Sequence, residues 1–419
     1  MALTGSIANL MAADARTLSS GTAQIVPTNG LDEKLALGRP LRVKLGLDPT
    51  APAVTLGWAV VLRKLRQFQR LGHTPVLIIG DFMARVGDPS GTTETRPRLS
   101  KDEVDGYAEP LLAQFGKVLD MDGVELRRNS EWLEPFGMED ILRLTASTTV
   151  ARMLERDDFA KRFADGRAIS LMEFLYPLLQ GYDSVAVRAD IELGGSDQLF
   201  NLLVGRDLQR EHGQDPQIAI TTPLLEGLDG VHKMSQSLGN YVGVDEPADE
   251  MFGKLMSLAR DELIPTYELL ATDLGSEDHD RVQAGLADGS IHPNDEKRRM
   301  ARAVVDLYHG DGAGKEAEAT FNVVHRERRL PDEVQDADVP DAWRREEGGT
   351  FWLPRVLAGL ELAGSNSEAR RLIEQGGVRV DGVVERRPPD EAEYSGADLD
   401  GKVVQVGRRH FRRLHAGRP

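Results

Sequence analysis

The stretch from Asp48 to Trp58 has the residue types of a loop that could hold a phosphate group. It begins with a carboxylate, continues through small residues and two prolines, and ends just beyond Gly57. A glycine lets a ligand approach the backbone closely, and the N-terminal end of a following helix favours an anion. A nucleotide suits such a loop, although many loops of this composition bind nothing, so the stretch alone is weak evidence.

The residues on either side predict the elements that would position this loop. Before it, Leu41, Val43 and Leu45 alternate with polar residues or glycine, a period of two that is typical of a strand. After it, apolar residues recur at helical spacing up to Leu71, and the apolar run that begins at Val76 predicts a strand buried on both faces. The pattern indicates a βαβ unit of an α/β fold, in which ligands bind at the carboxyl end of the first strand.

A second group of polar residues lies on one predicted helix, from Ile169 to Asp183. Tyr176, Gln180 and Asp183 follow one another at spacings of four and three residues, so they share one face of that helix. We expect this face to line a pocket. The alternative is the polar rim of an ordinary surface helix.

Length and composition narrow the class of protein. The 419 residues are 40% apolar, enough for two or three domains. No run approaches roughly 18 apolar residues and no signal-peptide block is present, so we expect a cytoplasmic protein without a membrane span. There is no cysteine, and the nine histidines show no paired spacing, which predicts no protein-bound metal. With a net charge of −17, nucleic-acid binding would require a local basic patch.

Four motifs occur in an order that resembles the bacterial tyrosyl-tRNA synthetases of class I. Lys233-Met-Ser-Gln-Ser237 resembles the lysine loop of that class, and Thr55-Leu-Gly-Trp58 lies where the class has its His-x-Gly-His signature. The residues from Tyr176 to Asp183 and Gly194-Gly-Ser-Asp-Gln198 resemble the amino-acid and ribose motifs. The resemblance runs from about Gly38 to Leu414 and implies a Rossmann-like α/β catalytic domain.

The resemblance also implies a role for each candidate site residue, with L-tyrosine and ATP with its Mg ion as substrates. Those implied to bind tyrosine are Asp88, Tyr176, Gln180, Asp183 and Gln198, of which Asp183 would face the phenol hydroxyl. Those implied to bind the nucleotide are Asp48, Gly57, Gly195, Asp197 and Met234. Those implied to act in catalysis are Thr50, Thr55, Trp58, Arg96, Lys233 and Gln236. Lys44 lies where some members place a tyrosine as a second phenol partner, so that partner stays unassigned.

The resemblance divides the chain into successive parts. Residues 1–245 are expected to form the catalytic domain, with an insertion at about 96–165 that carries the contact of a homodimer. Residues 246–330 are expected to form a helical tRNA-binding domain, and the acidic residues 331–350 a flexible linker. Residues 351–419 resemble the small RNA-binding domain of ribosomal protein S4. Its arginines are expected to gather on one face and to bind tRNA or another RNA: Arg370, Arg371, Arg379, Arg409 and Arg412.

The sequence departs from the family pattern where phosphate is handled. Thr55 and Trp58 replace the two signature histidines, Gln236 replaces a lysine, and Thr92 replaces a usual lysine or arginine. Losing one preorganised donor typically costs roughly 3–4 kcal/mol, and two independent losses would slow the chemistry by roughly 10⁴–10⁶-fold. We therefore expect an impaired ATP step.

Three functions remain open at this point. The first is a tyrosine–tRNA ligase with a divergent signature, and the second is a repurposed paralogue that binds tyrosine or RNA without charging tRNA. The third is a ligase that passes an activated tyrosine-like acid to a small acceptor. Tyrosine-dependent pyrophosphate exchange and ATP binding separate them.

Overall fold

The computed structural model describes residues 13–85, 100–325, 334–345, 349–407 and 410–416. The described chain forms two compact units. One contains the residues up to Pro247 together with Lys254–Asp311, and the other contains Ala248–Gly253 and the residues from Gly312 onward. This division differs from the separate helical domain expected at 246–330, because residues 254–311 belong to the same unit as the sheet described next.

A six-stranded sheet forms the centre of the first unit. Its strands are β1 (Gln24–Val26), β2 (Arg42–Leu47), β3 (Thr74–Ile79), β4 (Glu125–Arg128), β5 (Ile191–Gly195) and β6 (Ile218–Thr222). Their order is β1-β6-β5-β2-β3-β4, and all neighbours are parallel except β1 and β6. The chain moves outward in opposite directions after β2 and after β5, so the space between these two strands is the topological switch point at which such sheets bind ligands.

Helices connect the strands and continue the chain beyond the sheet. In chain order they are α1 (13–19), α2 (Gly30–Leu35), α3 (Leu56–Arg70), α4 (Lys101–Phe115), α5 (Ser130–Leu133), α6 (Met138–Ala146), α7 (Val150–Met153), α8 (Asp157–Ala164), α9 (Leu171–Val187), α10 (Leu199–Glu211), α11 (Ala248–Met256), α12 (Ile264–Ala271), α13 (Ser276–Asp288), α14 (Pro293–His309), α15 (Ala313–His325), α16 (Leu353–Gly359), α17 (Asn366–Glu374) and α18 (Gly396–Leu399). Among the described residues, no helix has the length and apolar character needed to cross a membrane.

The βαβ unit predicted from Leu41 to Gly80 is confirmed as β2, α3 and β3. The two strands pair in parallel over their whole length. Leu62, Leu65 and Phe68 of α3 have no exposed surface. The helical spacing of these residues therefore buries one side of α3, and the loop before α3 is held at the carboxyl end of β2.

One strand begins later than the sequence predicts. The apolar stretch Ala186–Glu192 predicts a strand, but its first residues complete α9, and β5 starts only at Ile191. Arg188 adopts a left-handed conformation with φ of 51° and ends the helix. Because Val187 is buried in the last helical turn, apolar character alone does not separate the helix from the strand that follows.

The second unit is built around another sheet. Its strands are β7 (Asp336–Val339), β8 (Phe351–Trp352), β9 (Val378–Val380), β10 (Val383–Val384), β11 (Glu393–Tyr394), β12 (Val403–Val406) and β13 (His410–Ala416). Five of them lie in the order β10-β9-β12-β13-β7, and β8 pairs with β11. Asp381 and Gly382 both have positive φ and form the turn of the β9–β10 hairpin, as the Asp-Gly pair predicts.

Part of the expected flexible linker is a strand. Asp336–Val339 pairs in parallel with the end of β13. The acidic residues there alternate with Ala337 and Val339, which pack on the apolar core of this unit. Acidic composition predicts a solvated spacer, but the alternation of apolar residues allows this segment to join the sheet.

Candidate active site

A cavity of about 690 Å³ lies at the carboxyl ends of β2 and β5. The loop after β2, the start of α3, one face of α9, the residues after β5 and the segment 233–237 line it. Every predicted tyrosine-binding, nucleotide-binding or catalytic residue that the structure describes is on its wall: Asp48, Thr50, Thr55, Gly57, Trp58, Tyr176, Gln180, Asp183, Gly195, Asp197, Gln198, Lys233, Met234 and Gln236. Asp88, Thr92 and Arg96 lie outside the described residues.

The polar face of α9 forms one end of the cavity, and its deepest group is the carboxylate of Asp183. This residue is 2% exposed. Trp132 donates its Nε1–H to Oδ1 at 2.8 Å, and Asn129 donates its Nδ2–H to Oδ2 at 3.4 Å. Burial raises the pKa of Asp183 to about 7, although Lys44 and the two hydrogen bonds favour the charged form. The carboxylate is therefore poised to accept a further donor from a ligand.

Lys44 lies outside the cavity wall, although it is close to this carboxylate. Its ammonium group is fully buried and donates to the Gln180 carbonyl at 3.0 Å, to Ser184 Oγ at 2.8 Å and to Glu192 Oε1 at 2.8 Å. An ammonium group has three N–H donors, and these three acceptors use all of them. Lys44 is therefore not available as the second partner of a phenol hydroxyl.

A hydrogen bond joins two walls of the cavity. Tyr176 donates its hydroxyl to Asp48 Oδ2 at 2.9 Å, which connects α9 to the loop after β2. Asp48 also lies directly against the end of β3, where a Cβ on Gly80 would be 2.0 Å from Asp48 Oδ1. A residue with a Cβ at position 80 would therefore displace the Asp48 carboxylate.

The residues after β5 approach the cavity through a backbone that has no room for a side chain. A Cβ on Gly195 would be 2.8 Å from Asp197 Oδ1 and 2.9 Å from Leu224 Cδ2. Across the cavity, Gly57 lies against Met234, whose Cβ would be 3.4 Å from a Cβ on the glycine. The 3.4 Å contact at Gly57 is ordinary packing, and the role of both glycines beside a nucleotide stays a prediction.

Thr55 serves the backbone of α3. It is the N-cap of that helix, is 3% exposed, and its Oγ accepts a hydrogen bond from the Trp58 N–H at 3.3 Å. Trp58 is partly buried on the cavity wall, and its indole N–H has no partner among the residues described. Thr55, which stands in place of the first signature histidine, thus accepts a hydrogen bond from the backbone of Trp58, which stands in place of the second.

The segment 233–237 is tied to both sides of the cavity. Lys233 Nζ lies 3.0 Å from Asp197 Oδ2, the carboxylate implied to hold a ribose. Gln236 donates its Nε2–H to the Ala53 carbonyl at 2.6 Å, and Ser235 N–H donates to Asn240 Oδ1 at 2.9 Å. The lysine and the glutamine are therefore both paired with protein groups.

Three residues of the site were not found from the sequence. Asn201 donates to Gln180 Oε1 at 2.9 Å and to Gln198 Oε1 at 3.0 Å, so it orients both predicted glutamines. Its spacing of three residues from Gln198 on a helix is a signal that could have found it. Gln114 holds the loop after β2 through Val54 N at 2.7 Å, and Trp132 bonds Asp183, but both are distant in sequence and have no local signal.

The arginines predicted to bind RNA lie on three elements of the second unit. Arg370 and Arg371 are on α17, Arg379 is on β9 and Arg412 is on β13, whereas Arg409 lies outside the described residues. Arg379 is in register with Gln405, but Arg412 is in register with its neighbour Val404. Because side chains alternate across a strand, Arg379 and Arg412 lie on opposite faces of the sheet, which corrects the single face expected from the sequence.

Comparison with known proteins gives the same assignment for both parts of the chain. Residues 36–326 match the family described as tRNA synthetases class I (W and Y), and residues 351–390 match the S4 domain. The chain is 52% identical over 404 residues to a tyrosine–tRNA ligase of Moorella thermoacetica, covering 96% of this chain and 95% of the relative. It is 48% identical over 401 residues to a tyrosine–tRNA ligase of Geobacter sulfurreducens, covering 95% and 97%.

Solved structures support the fold. A tyrosyl-tRNA synthetase from Archaeoglobus fulgidus, complexed with L-tyrosine, superposes with a TM-score of 0.60 at 20% identity, covering 73% of this chain and 99% of that one. At this identity the likeness concerns the fold alone. The switch-point cavity, the ordered motifs and the match over nearly the full length of the relatives assign the chain to the class I tyrosyl-tRNA synthetase family, with a C-terminal S4 domain.

Proposed function

We propose that this protein binds L-tyrosine as its relatives' names imply, and activates it for transfer to tRNA with a slow ATP step. In the first reaction a tyrosine carboxylate oxygen attacks the α-phosphate of ATP, a bond to that phosphorus forms, and pyrophosphate leaves. In the second, a hydroxyl of the terminal tRNA ribose attacks the tyrosyl carbonyl and AMP leaves. Mg would bind together with ATP as part of the substrate.

The observation that carries the tyrosine half of this proposal is the buried carboxylate of Asp183. A phenol O–H would supply a donor to a group that burial has deprived of water. Phenylalanine would leave the same carboxylate without that donor, which is unfavourable in a buried site. Tyr176 and Gln180, on the same face of α9, would receive the ammonium group.

The observations that carry the slow ATP step concern the charge and the protein contacts of three side chains near the expected phosphate position. Thr55 accepts the helix N–H at 3.3 Å, Gln236 donates to the Ala53 carbonyl at 2.6 Å, and Lys233 is 3.0 Å from Asp197. These contacts leave the Thr55 O–H, the second N–H of Gln236 and two N–H groups of Lys233 able to donate, but Thr55 and Gln236 are neutral and Lys233 shares its charge with a carboxylate. Neutral donors form weaker hydrogen bonds to a charged phosphate than charged donors do.

A second candidate function is a paralogue that binds tyrosine or tyrosyl-tRNA and no longer forms the adenylate. The contacts that Gln236 and Lys233 make with protein groups favour this candidate, because they hold the segment 233–237 in place without ATP. A ligase for a small acceptor, the third possibility, would need no S4 domain, so the match at residues 351–390 disfavours it.

We also propose that residues 246–330 and the S4 domain hold the tRNA. Exposed guanidinium groups on α17 and β9 would contact the phosphate backbone, with Arg371 and Arg379 the most accessible of those described. Arg370 is paired with Asp390 at 2.8 Å, so it would have to exchange a carboxylate for a phosphate.

A homodimer is the assembly we propose. Large apolar side chains that remain exposed concentrate within the insertion expected to carry the dimer contact and just beyond it: Leu126, Met138, Leu142, Val150, Phe163 and Leu171. We propose that these residues come together as one interaction surface, since a large contiguous apolar patch on a monomer marks such a surface.

The experiment that tests the proposed reaction is tyrosine-dependent exchange of pyrophosphate into ATP. We expect slow exchange from the natural protein, and an increase of at least about 100-fold in a Thr55→His/Trp58→His/Gln236→Lys variant, since each restored donor is worth roughly 10²–10³ in rate. The control is the same variant with Asp183→Asn, which should lose the gain. Exchange at ordinary synthetase rates in the natural protein would refute the slow step, and tyrosine binding with no exchange and no ATP binding would select the paralogue.

A further inference from the structure

A second cavity, of about 250 Å³, lies in the first unit away from the active site. The C-terminal half of α3, residues 116–120 after α4, Asp273 and the end of α14 line it, and it shares no wall residue with the active-site cavity. Apolar surface from Val118, Leu119 and Leu307 forms part of the wall. Drug-sized ligands occupy about 300–1,000 Å³, so this cavity suits a smaller molecule.

Positive charge predominates on this wall. The cationic side chains are Arg63, Arg66, Arg70 and Lys117, and the carboxylates are Asp120 and Asp273. The three arginines are spaced three and four residues apart, so α3 presents them on one face. Asp273 accepts from Arg63 at 2.7 Å and lies 3.9 Å from Arg70, while Lys117 pairs at 2.5 Å with Asp245. Arg66 bonds a neutral partner, the Gln69 amide oxygen, at 2.5 Å.

Two buried donors on the same wall have no hydrogen-bond partner among the described residues. One is the hydroxyl of Tyr308, a side chain that is 8% exposed, and the other is Nε of Arg63. Unpaired buried polar groups are rare in folded proteins, because they have lost water and gained nothing. Burial raises the pKa of Tyr308 to about 12, so its hydroxyl keeps the proton and remains a donor near neutral pH.

We propose that this cavity binds a small phosphate-bearing anion, whose oxygens accept from the Tyr308 hydroxyl and the Arg63 guanidinium while Arg66 and Arg70 balance its charge. A phosphate offers more acceptor oxygens than a carboxylate, and guanidinium groups match its geometry. An RNA phosphodiester has the same oxygens. A free small anion is the better match, because the cavity measures about 250 Å³ and part of its wall is apolar.

The test is calorimetric titration of the full-length protein with inorganic phosphate, with L-tyrosine saturating and potassium chloride holding the ionic strength constant. We expect binding to the natural protein, and binding about 10- to 100-fold weaker in Tyr308→Phe, because a hydrogen bond to a charged group is lost. Without phosphate, the thermal midpoint of Tyr308→Phe should be unchanged or higher, since the variant removes an unpartnered hydroxyl. Arg66→Gln, at a partly exposed position, should weaken phosphate binding about tenfold. If Tyr308→Phe does not fold, this second variant tests the proposal by itself.

Lys233→Ala is the control for phosphate that binds in the active site instead. It should leave the titration unchanged. The proposal is overturned if the natural protein binds no phosphate, or if binding is lost in Lys233→Ala and kept in Tyr308→Phe and Arg66→Gln. Addition of tRNA distinguishes the source of the phosphate: unchanged phosphate binding supports a free anion, and displacement by tRNA overturns that assignment in favour of the RNA backbone.

Discussion

Single residues in the active site differ in whether their hydrogen-bonding capacity is already used. Asp183 is buried with a raised pKa, and a ligand hydroxyl would improve its surroundings. Thr55 and Gln236, in contrast, have partners within the protein at 3.3 Å and 2.6 Å. We propose that Asp183 receives a ligand hydroxyl, whereas Thr55 and Gln236 can offer a phosphate only neutral donors, the Thr55 O–H and the second N–H of Gln236.

At this scale we predict the effect of Asp183→Asn on selectivity. The amide is a poorer acceptor than the carboxylate, so L-tyrosine should bind about 10- to 100-fold more weakly while L-phenylalanine changes little. Isothermal titration calorimetry with both amino acids measures the ratio. The exposed Asp102→Asn is a matched control and should bind both as the natural protein does. An unchanged preference for tyrosine in Asp183→Asn would contradict the assignment of Asp183 to the phenol hydroxyl.

At the scale of elements, a buried ion pair joins β2 to β5, and its lysine also bonds α9. Lys44 on β2 lies 2.8 Å from Glu192 on β5, and neither side chain is more than 1% exposed. The same ammonium group bonds Gln180 and Ser184 of α9. Since the two strands flank the switch point, this pair holds together the elements on either side of it.

We predict that Lys44→Met destabilises the fold by about 3–5 kcal/mol, because Glu192 would remain as a buried charge without its partner. Urea denaturation of the single variant and of Lys44→Met/Glu192→Gln measures the effect, and the double variant should recover part of the loss. Arg143→Met, which breaks an exposed pair with Glu139, should change stability by less than about 1 kcal/mol. A double variant less stable than the single one would show that Glu192 does not require Lys44.

For the whole molecule, the buried carboxyl group of Asp183 makes the free energy of unfolding depend on pH. The carboxyl of Asp183 binds its proton more tightly in the folded chain, with a pKa of about 7, than in the unfolded chain, where about 3.9 is usual. The favourable contribution of the neutral form is therefore complete below about pH 4 and is lost as pH rises to about 7.

The corresponding prediction compares the free energy of unfolding of the natural protein with that of Asp183→Asn from pH 4 to pH 8, without tyrosine. The natural protein should lose stability relative to the variant as pH rises, by at most roughly 4 kcal/mol, since one pKa unit is worth about 1.4 kcal/mol. Saturating L-tyrosine should reduce the difference in the natural protein. A difference that does not depend on pH would show that the pKa of Asp183 is not raised.

Assembly is tested at the same scale. If the proposed dimer forms through these exposed apolar residues, a charge among them should oppose their burial, so we expect Leu142→Glu to be monomeric in analytical ultracentrifugation. Val383→Glu alters an apolar residue that is also exposed, at 71%, but lies in the S4 domain, and it should leave the dimer intact. If the natural protein sediments as a monomer at micromolar concentration, the insertion does not carry a dimer contact.

Much of the fold and site was predictable because the signals are local. The alternation before Asp48 and the helical spacing after it predict β2 and α3, and the order of the four motifs predicts that they converge. The acidic composition of 331–350 predicted a flexible linker, but four of its residues pair with β13. The prediction that the arginines share one face was wrong because the register of the strands cannot be read from the sequence. Contacts such as Trp132 to Asp183 have no local signature, since they join residues 51 positions apart.

The sequence by itself determined the family and the identity of the residues at the carboxyl ends of the strands, among them Thr55 and Trp58. Only the tertiary structure decided that Lys44 is used up by Glu192, Ser184 and a carbonyl, and that Thr55 caps a helix. Residue types and their spacing along one element are written in the chain, so they can be recognised there. Burial and hydrogen-bond partners depend on segments brought together by packing, and these decide whether a polar group is free to act.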